Sequence, residues 1–367
     1  MLAMQIIWIL MIAAIITICE YLIYNYHLPR GLLFIFPIIN ICIEIYVIFY
    51  ILRMQALLTS MFPLWIRIGV YLLPLLLSLL VMTGLLVRRY VRMAHTKPLR
   101  HIIYRLFAFF LISMLLIFLA TVYLAQEYVI FYPNANSQDR DALMNTPDFE
   151  RISINSRYRG WLRNVDNADS ILLYFGGNAQ NTSTLFKDYM ESGIFSTMTS
   201  TSFLSIDYPS YGDSEGSLSE DELFKMAEAT IQYIQHSFPH KKLYIVGYSI
   251  GTGIASYAAY VAHPDALVLL SPYNNGKDLF NSYFPVFYGP LQYLIRYPLT
   301  SDVYVKTLDC KSMVILSDKD TIVKPMLSKK LIQSFLKPPH VVHFDTLEHG
   351  DIAMSKDVWK TIMNFLR

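Results

Sequence analysis

The sequence predicts an α/β fold, in which helices cover both faces of a mostly parallel sheet, preceded by four transmembrane α-helices. Three observations lead to this prediction. Long apolar runs fill the first 129 residues, which hold nine of the 30 Lys and Arg and three of the 28 Asp and Glu. From about residue 150, shorter apolar runs alternate with helix-like stretches. One serine lies between two glycines, in "GYSIG" (residues 247–251), directly after a short apolar run.

The first 129 residues predict a multi-pass membrane region, followed by a second domain at residues 130–367. A helix of about 20 apolar residues spans a hydrocarbon core of ~30 Å. The apolar runs cover about residues 3–24, 31–52, 64–87 and 106–126. The first run has no Lys or Arg before it and no small-residue cleavage pattern after it, so it does not resemble a signal peptide. The lipid bilayer is therefore a predicted partner.

Basic residues predict how these helices cross the membrane. The link between the third and fourth runs, "RRYVRMAHTKPLRHIIYR" (88–105), holds six Lys and Arg. Short loops rich in such residues stay in the cytoplasm. We therefore expect residues 130–367 on the non-cytoplasmic side of a cell or inner membrane. Glu44, in the middle of the second run, either lines a proton or substrate path or is a protonated or paired structural residue, and the second interpretation is favoured.

The remainder of the chain, residues 130–367, predicts the parallel sheet. The predicted strands are residues 171–175, 202–206, 243–248, 266–271, 312–317 and 341–344. The predicted helices are residues 181–192, 219–238, 251–262, 326–336 and 351–366. Ser219 can cap the second of these helices, and Asp221 and Glu222 suit its first turn. Alternating strands and helices indicate a parallel sheet covered on both faces, and ligands bind such sheets beyond the carboxyl ends of the strands.

Charge and cysteine content exclude several classes of function. No basic stripe with interleaved aromatic residues is present, so no nucleic-acid partner is predicted. The three cysteines, Cys19, Cys42 and Cys310, form neither a disulfide framework nor a CxxC metal site. The acyl transfer predicted below needs no metal and no organic cofactor, so neither is predicted.

The "GYSIG" stretch predicts a nucleophilic serine. A strand that turns at once into a helix must bend within about three residues, and this strains the residue at the bend. Glycines at positions 247 and 251 remove the side chains that would crowd the bend. The bend exposes the Ser249 hydroxyl above the sheet and directs the N–H of Ile250 towards a developing oxyanion.

A serine hydroxyl needs a base, and the base needs an acid that orients it. In this architecture the acid and then the histidine follow the serine along the chain. "DKDTIVKP" follows one predicted strand and offers Asp318 and Asp320, of which Asp320 is preferred because it lies deeper in the turn. "DTLEHGDI" follows the last predicted strand and offers His349. His343 is assigned to the interior of that strand as a structural histidine.

A second oxyanion donor is expected in "GGNAQN" (176–181), which we call the GGNAQN loop and which follows the first predicted strand. Its two glycines let the backbone approach a substrate. The N–H of Asn178 is the preferred donor, with that of Ala179 as the alternative. A plain Gly-Gly turn without a catalytic role is also compatible with this pattern.

Six motifs together resemble the α/β-hydrolase superfamily, most closely the Bem46-like and alpha/beta-hydrolase-domain 13/17-like serine hydrolases. They are "YFGGNAQN", "DYPSYGDSEG", "GYSIG", "LLSPY", "RYPL" and "ILSDKDTIVKP" with "EHGDI", in this order. The resemblance covers about residues 145–367. It implies a Ser249–Asp320–His349 triad with an oxyanion hole around Asn178 and Ile250. Relatives usually have a loop-bracing histidine where this chain has Gly176.

The predicted reaction is acyl transfer to water, with an acyl ester as substrate: a lipid, a carboxylester or a thioester. A site beside a bilayer suits lipid-like substrates. Two alternatives stay open: a non-catalytic binding or sensing module on a membrane protein, and a serine peptidase or amidase. The segment 273–307, rich in Tyr, Phe and Leu, either lines an acyl pocket or forms the core of a short lid.

Overall fold

We describe the fold from a computed structural model of the chain. It describes residues 130–367 throughout and, before them, residue 84 and the helical residues 111–112, 114–116, 118–124 and 126–127. The first two predicted membrane runs, the basic link 88–105 and Glu44 lie outside the described residues, as do most of the third run and part of the fourth. Among the residues that are described, no helix is both long enough and apolar enough to cross a membrane.

An eight-stranded sheet forms the centre of residues 130–367. Its strands are β1 (Phe149–Ile154), β2 (Tyr158–Arg163), β3 (Ser170–Phe175), β4 (Thr201–Ile206), β5 (Lys242–Tyr248), β6 (Ala266–Leu270), β7 (Lys311–Leu316) and β8 (His340–His343). They lie in the order β1-β2-β4-β3-β5-β6-β7-β8. The pairs β1/β2 and β2/β4 are antiparallel, and all other neighbours are parallel. The prediction of a mostly parallel sheet is confirmed.

Helices and short 3₁₀ turns connect the strands. The helices are α1 (Ser137–Met144), α2 (Thr182–Glu191), α3 (Glu220–Ser237), α4 (Gly251–Ala262), α5 (Gly276–Tyr283), α6 (Ser301–Tyr304), α7 (Pro325–Ile332), α8 (His349–Ile352) and α9 (Lys356–Leu366). The 3₁₀ turns are Ile194–Thr197, Gly289–Leu294 and Val305–Thr307. The Ser219 side chain accepts the N–H of Glu222 and caps α3, as predicted.

The central strands are buried on both faces because helices cover the sheet on both sides. Every residue of β3 is buried. Side chains alternate between the two faces of a strand. Tyr244 and Val246 of β5 therefore point into one core cluster, whereas Gly247 lies on the opposite face, against Ala255 of α4.

An aromatic cluster fixes the short helix α8 to the rest of the core. Tyr174, Tyr189, Phe203 and Trp359 are fully buried, with ring centroids 5.5 to 6.2 Å apart between contacting rings. The Tyr189 hydroxyl and the Trp359 indole N–H both donate to the carbonyl oxygen of Ala353, at 2.8 Å each. Ala353 directly follows α8, so these bonds fix the end of the helix that begins at His349.

The six predicted strands are confirmed to within one residue at each end, and so are the first three predicted helices. The prediction of one helix over 351–366 is wrong, because the structure has two helices there, α8 and α9. The Ser355 side chain caps α9 by accepting the N–H of Val358. The helix predicted over 326–336 ends at Ile332. His343 is the last residue of β8 and is exposed, so it does not lie in a strand interior.

Candidate active site

Ser249 lies at the bend between β5 and α4. Its backbone has a φ of +54°, a left-handed conformation that is unusual for a residue with a side chain. The Ser249 N–H donates to the carbonyl oxygen of Leu270 at the end of β6, over 2.9 Å. The residue is 8% exposed. The backbone is therefore strained at the position where the sequence predicts a strained serine.

Glycine is needed on both sides of this bend. A Cβ atom at Gly247 would lie 2.6 Å from the Cβ of Ala255 and 2.7 Å from the carbonyl oxygen of Gly251. A Cβ atom at Gly251 would lie 2.3 Å from the carbonyl oxygen of Phe175 and 2.5 Å from that of Gly176. These atoms belong mostly to the backbone and cannot rotate away. The two glycines thus allow α4 to begin directly against β3.

The structure brings together the side chains of Ser249, Asp320 and His349, the three residues that the sequence predicts as a triad. The Nε2 atom of His349 lies 2.9 Å from the Oγ of Ser249, and its Nδ1 atom lies 2.7 Å from Oδ2 of Asp320. Asp320 is 5% exposed, and the side chain of His349 is 12% exposed. The neutral imidazole that donates its Nδ1–H to the carboxylate has Nε2 free to accept the serine proton. This arrangement can move a proton from the hydroxyl to the ring.

The loop after β7 holds Asp320 in a fixed orientation. Its Oδ1 atom accepts the N–H groups of Ile322 and Val323, at 2.9 and 2.8 Å, so Oδ2 is left for the histidine. The competing carboxylate, Asp318, is exposed and faces His343, with 3.8 Å between Oδ2 and Nδ1. The preference for Asp320 over Asp318 therefore agrees with the geometry.

The two candidate oxyanion donors have unengaged N–H groups. Within residues 130–367, no protein acceptor is recorded for the N–H of Ile250 or of Asn178. The GGNAQN loop that carries Asn178 is braced from several sides. The Tyr208 hydroxyl donates to the carbonyl oxygen of Gly176 at 2.6 Å, and the Gly177 N–H donates to Oε1 of Gln180 at 2.8 Å. These contacts hold the loop although Gly176 lies where the family resemblance predicts a bracing histidine.

Comparisons with known proteins agree with this architecture. A family model described as the alpha/beta hydrolase fold matches residues 201–289, which run from β4 past the serine bend. The sheet order and the strand–serine–helix bend fit that description. The fold is that of the α/β hydrolases.

Two curated relatives illustrate the range of similarity. Lysophosphatidylserine lipase ABHD12 from Danio rerio is 30% identical over 193 residues, which cover 46% of this chain and 48% of that protein. The uncharacterized protein MT2364 from Mycobacterium tuberculosis is 25% identical over 239 residues, covering 62% of this chain and 81% of that protein. The chain thus spans about half the length of the lipases that it matches.

A solved structure with a similar fold is the Pyrococcus furiosus esterase Pf2001. It has a TM-score of 0.48 and 17% sequence identity, and covers 64% of this chain and 96% of the esterase. The finer resemblance, to the Bem46-like and alpha/beta-hydrolase-domain 13/17-like hydrolases, stays a prediction.

The sequence did not predict that Tyr248 supports His349. Its hydroxyl donates to the carbonyl oxygen of His349 at 2.7 Å, and the two rings are 5.2 Å apart. Burial raises the pKa of Tyr248, so the phenol stays protonated and keeps donating. The Ser317 hydroxyl adds a second link, because it donates to the carbonyl oxygen of Leu347 and joins the acid loop to the histidine loop.

Asp207, in "DYPSYGDSEG", supports the GGNAQN loop from its far end. Its Oδ1 atom accepts the N–H of Thr182, the first residue of α2, at 2.7 Å. Burial raises the pKa of Asp207 to about 6. A Cβ atom at Gly212, whose φ is +50°, would lie 2.1 Å from Oδ2 of Asp207, so this turn requires glycine.

Asp318, His343 and Asp345 are the one group in the described part of the chain whose side chains could together hold a metal ion. Their ligand atoms lie within 4.8 Å of one another, and all three residues are exposed. Exposed acidic groups are common without an ion, and none of the three contacts the Ser249–His349 pair.

The segment 273–307 has both buried and exposed aromatic residues. Tyr273 and Tyr297 are fully buried, whereas Tyr288 is 62% and Tyr293 is 84% exposed. A cavity of about 300 Å³ lies between α5, the following 3₁₀ turn and α7. The alternatives of an acyl pocket and a lid core therefore both stay open.

Proposed function

We propose that this chain is a serine hydrolase that cleaves acyl esters through an acyl-enzyme. The proposal is carried by one observation, the hydrogen-bonded chain from Ser249 through His349 to Asp320 on a strained strand-to-helix bend. The similarity to lysophosphatidylserine lipases adds support.

Acylation begins at the serine hydroxyl. The Nε2 atom of His349 takes the hydroxyl proton while the Oγ of Ser249 bonds to the ester carbonyl carbon. The N–H groups of Ile250 and Asn178 stabilise the negative oxygen that results. The Asp320 carboxylate stabilises the imidazolium. The Nε2–H proton then goes to the departing alcohol oxygen, and the acyl group remains on Ser249.

Deacylation repeats these steps with water. His349 takes a proton from water, whose oxygen bonds to the acyl carbon. When the tetrahedral species breaks down, Ser249 leaves and regains its proton from Nε2, and the free acid departs. These steps use two carbonyl additions, one base and two fixed donors, all supplied by residues of this chain.

We propose a lipid ester with a single acyl chain, such as a lysophospholipid, as the substrate class. The name of the similar zebrafish protein, a lysophosphatidylserine lipase, points in this direction. The apolar first 129 residues agree, since a site near a bilayer meets amphiphilic esters. Release of fatty acid should then rise with acyl chain length, and should exceed cleavage of matched aminoacyl amides. Faster cleavage of the amides would instead favour the peptidase alternative.

We also propose that residues 1–129 anchor the hydrolase, residues 130–367, in a membrane, with the hydrolase on the non-cytoplasmic side. The proposal rests on the four apolar runs and on the basic link at 88–105. Reporters fused to the C-terminus should be active outside the cytoplasm. A reporter that is active only in the cytoplasm would contradict this orientation.

A fluorophosphonate probe tests the central proposal. Such a probe reacts with an activated serine, so it should label the wild type and fail to label Ser249→Ala. Ser271 offers a matched control, because it directly follows β6, has a φ of +48°, and is also buried. Its Oγ has no hydrogen-bond partner in the described protein, and therefore no base. Absence of labelling in the wild type would favour a non-catalytic binding module, whereas labelling lost in Ser271→Ala alone would refute the assigned nucleophile.

A further inference from the structure

The segment that leads out of the fourth predicted membrane run contacts the GGNAQN loop. We call residues 131–136, "FYPNAN", the strap. The strap begins at Phe131, which is 1% exposed and packs 5.0 Å from the ring of Tyr297. It ends at Asn136, whose side chain caps α1. Both ends are therefore attached to the hydrolase domain, and the residues between them are held at a defined place.

The middle of the strap binds the carbonyl oxygen of Asn178. The N–H of Tyr132 donates to this oxygen at 3.1 Å and also lies 2.9 Å from the hydroxyl oxygen of Tyr211. The Tyr211 hydroxyl donates to the same carbonyl oxygen. On the other side of Asn178, the carbonyl oxygen of Gly177 accepts the N–H of Gln180 at 3.2 Å. Both peptide groups that flank Asn178 are thus fixed.

Asn134 binds the next residue of the loop. Its Nδ2 atom donates to the carbonyl oxygen of Ala179 at 2.6 Å, and its Oδ1 atom accepts from Nδ2 of Asn181 at 2.7 Å. Its own carbonyl oxygen accepts the N–H of Gly212 at 2.9 Å. The strap therefore holds the carbonyl groups of both residues, Asn178 and Ala179, that could supply the second oxyanion donor.

Fixing a carbonyl group also fixes an N–H group. The C=O and N–H of one trans peptide are coplanar and point in opposite directions. The bond from Tyr132 to the carbonyl of Asn178 therefore sets the direction of the Ala179 N–H. Asn134 fixes the peptide that joins Ala179 to Gln180. The N–H of that peptide donates to the carbonyl of Gly177, which sets the direction of the Asn178 N–H. Oxyanion donors stabilise charge only if they are held in place before the reaction. Loss of the strap contacts should thus weaken catalysis more than substrate binding.

We propose that the strap positions the oxyanion donors of the GGNAQN loop, with Asn134 and the N–H of Tyr132 as positioning groups. The proposal rests on the proposed acyl transfer. It makes the connection between the predicted membrane region and the hydrolase a part of the active-site structure. If the strap only anchored the chain, its loss would lower the stability of the protein, and kcat would fall only as far as the folded fraction falls.

The test uses the full-length chain in detergent micelles. Asn134→Ala removes the bonds to Ala179 and Asn181, and we expect kcat to fall about tenfold with KM changed less than twofold. Asn134→Asp keeps an acceptor for Asn181 but loses the donor to Ala179, and should resemble Asn134→Ala. Ser219→Ala is the matched control, because Ser219 is also a helix cap, of α3, and its side chain bonds the N–H of Glu222 rather than the strap or the GGNAQN loop. It should lower the melting temperature and leave kcat unchanged.

Hydrogen–deuterium exchange of the loop amides, residues 176–181, supplies a readout independent of activity. It is measured in the Ser249→Ala background, with and without Asn134→Ala. Faster exchange with Asn134→Ala, together with the selective fall in kcat, supports the proposal. Unchanged exchange, or a kcat no lower than that of Ser219→Ala, overturns it. If the wild type neither hydrolyses esters nor binds the fluorophosphonate probe, the proposed function fails, while the exchange result still decides whether the strap holds the loop.

Discussion

Gly251→Ala tests how closely the serine bend must approach the sheet. The added Cβ atom would lie 2.3 Å from the carbonyl oxygen of Phe175 and 2.5 Å from that of Gly176. An ordinary contact needs about 3.4 Å, so α4 must retreat from β3 by about 1 Å. Both oxygens belong to the backbone at the end of β3, so no side-chain rotation can relieve the clash.

The retreat of α4 would displace the proposed catalytic groups. Ser249 and the N–H of Ile250 lie immediately before this helix and would move with it. A displacement of about 1 Å can cost about 100-fold in rate when reacting groups must be aligned. Forcing an extra methyl group into a packed core costs about 1–3 kcal/mol of stability. We therefore expect kcat/KM to fall about 100-fold in a variant that still folds.

Gly350→Ala is the matched control for this prediction. Gly350 directly follows His349 in α8, and a Cβ atom there would meet nothing within 4 Å. Both variants are assayed for hydrolysis of a p-nitrophenyl ester, for the rate of fluorophosphonate labelling and for urea unfolding. If Gly251→Ala kept kcat/KM within a few fold of the wild type, the close approach would not matter for catalysis, and the argument from crowding would be refuted.

Three further predictions follow from the contacts described above. Asp320→Asn should lower kcat by about 10⁴-fold because the imidazole loses its orienting charge. Asp318→Asn is the control and should keep kcat within about twofold. Equal losses of ester hydrolysis in the two variants would contradict the assignment of Asp320. Burial raises the pKa of Asp207 to about 6, above its unfolded value near 4, so the free energy of unfolding should fall as pH rises through this range. Asp207→Asn should flatten that decline and add about 1–3 kcal/mol at pH 7.5, as measured by urea unfolding. Trp359→Ala should cost about 3–5 kcal/mol by the same measurement, because the indole is fully buried and its N–H donates to Ala353.

The candidate site could be predicted because its side chains follow buried parallel strands. Ser249 directly follows β5, and Asp320 and His349 lie in the loops after β7 and β8. The carboxyl ends of parallel strands line one end of the sheet, so the three residues are expected on the same side of the fold. The prediction depended on their order along the chain and on their places after predicted strands, and it made no use of the pairing of β5 with β3 and β6.

The two antiparallel strands could not be predicted in the same way. β1 and β2 carry charged residues within their span, in "FERISI" and "YRGWLR", and β1 is buried along only part of its length. β1 lies at the edge of the sheet, where solvent covers part of the strand and few apolar residues are needed. β2 is largely buried, but Arg159, Gly160 and Arg163 interrupt its apolar residues. No continuous apolar run therefore marks these strands, and charged residues in short stretches resemble a loop.

The residues that position the site could not be predicted from the sequence, for a different reason. Tyr248 reaches His349 across 101 residues of sequence and binds its carbonyl oxygen. Every residue type has a carbonyl oxygen, so such a bond leaves no mark at the accepting position. The same holds for the strap, whose donors bind the carbonyl oxygens of Asn178 and Ala179. Reacting groups are side chains and can be read from a sequence, whereas groups that position a backbone can be found only from coordinates. The effects expected from substituting Tyr248 or Asn134 therefore come from the contacts in the structure and not from any sequence motif.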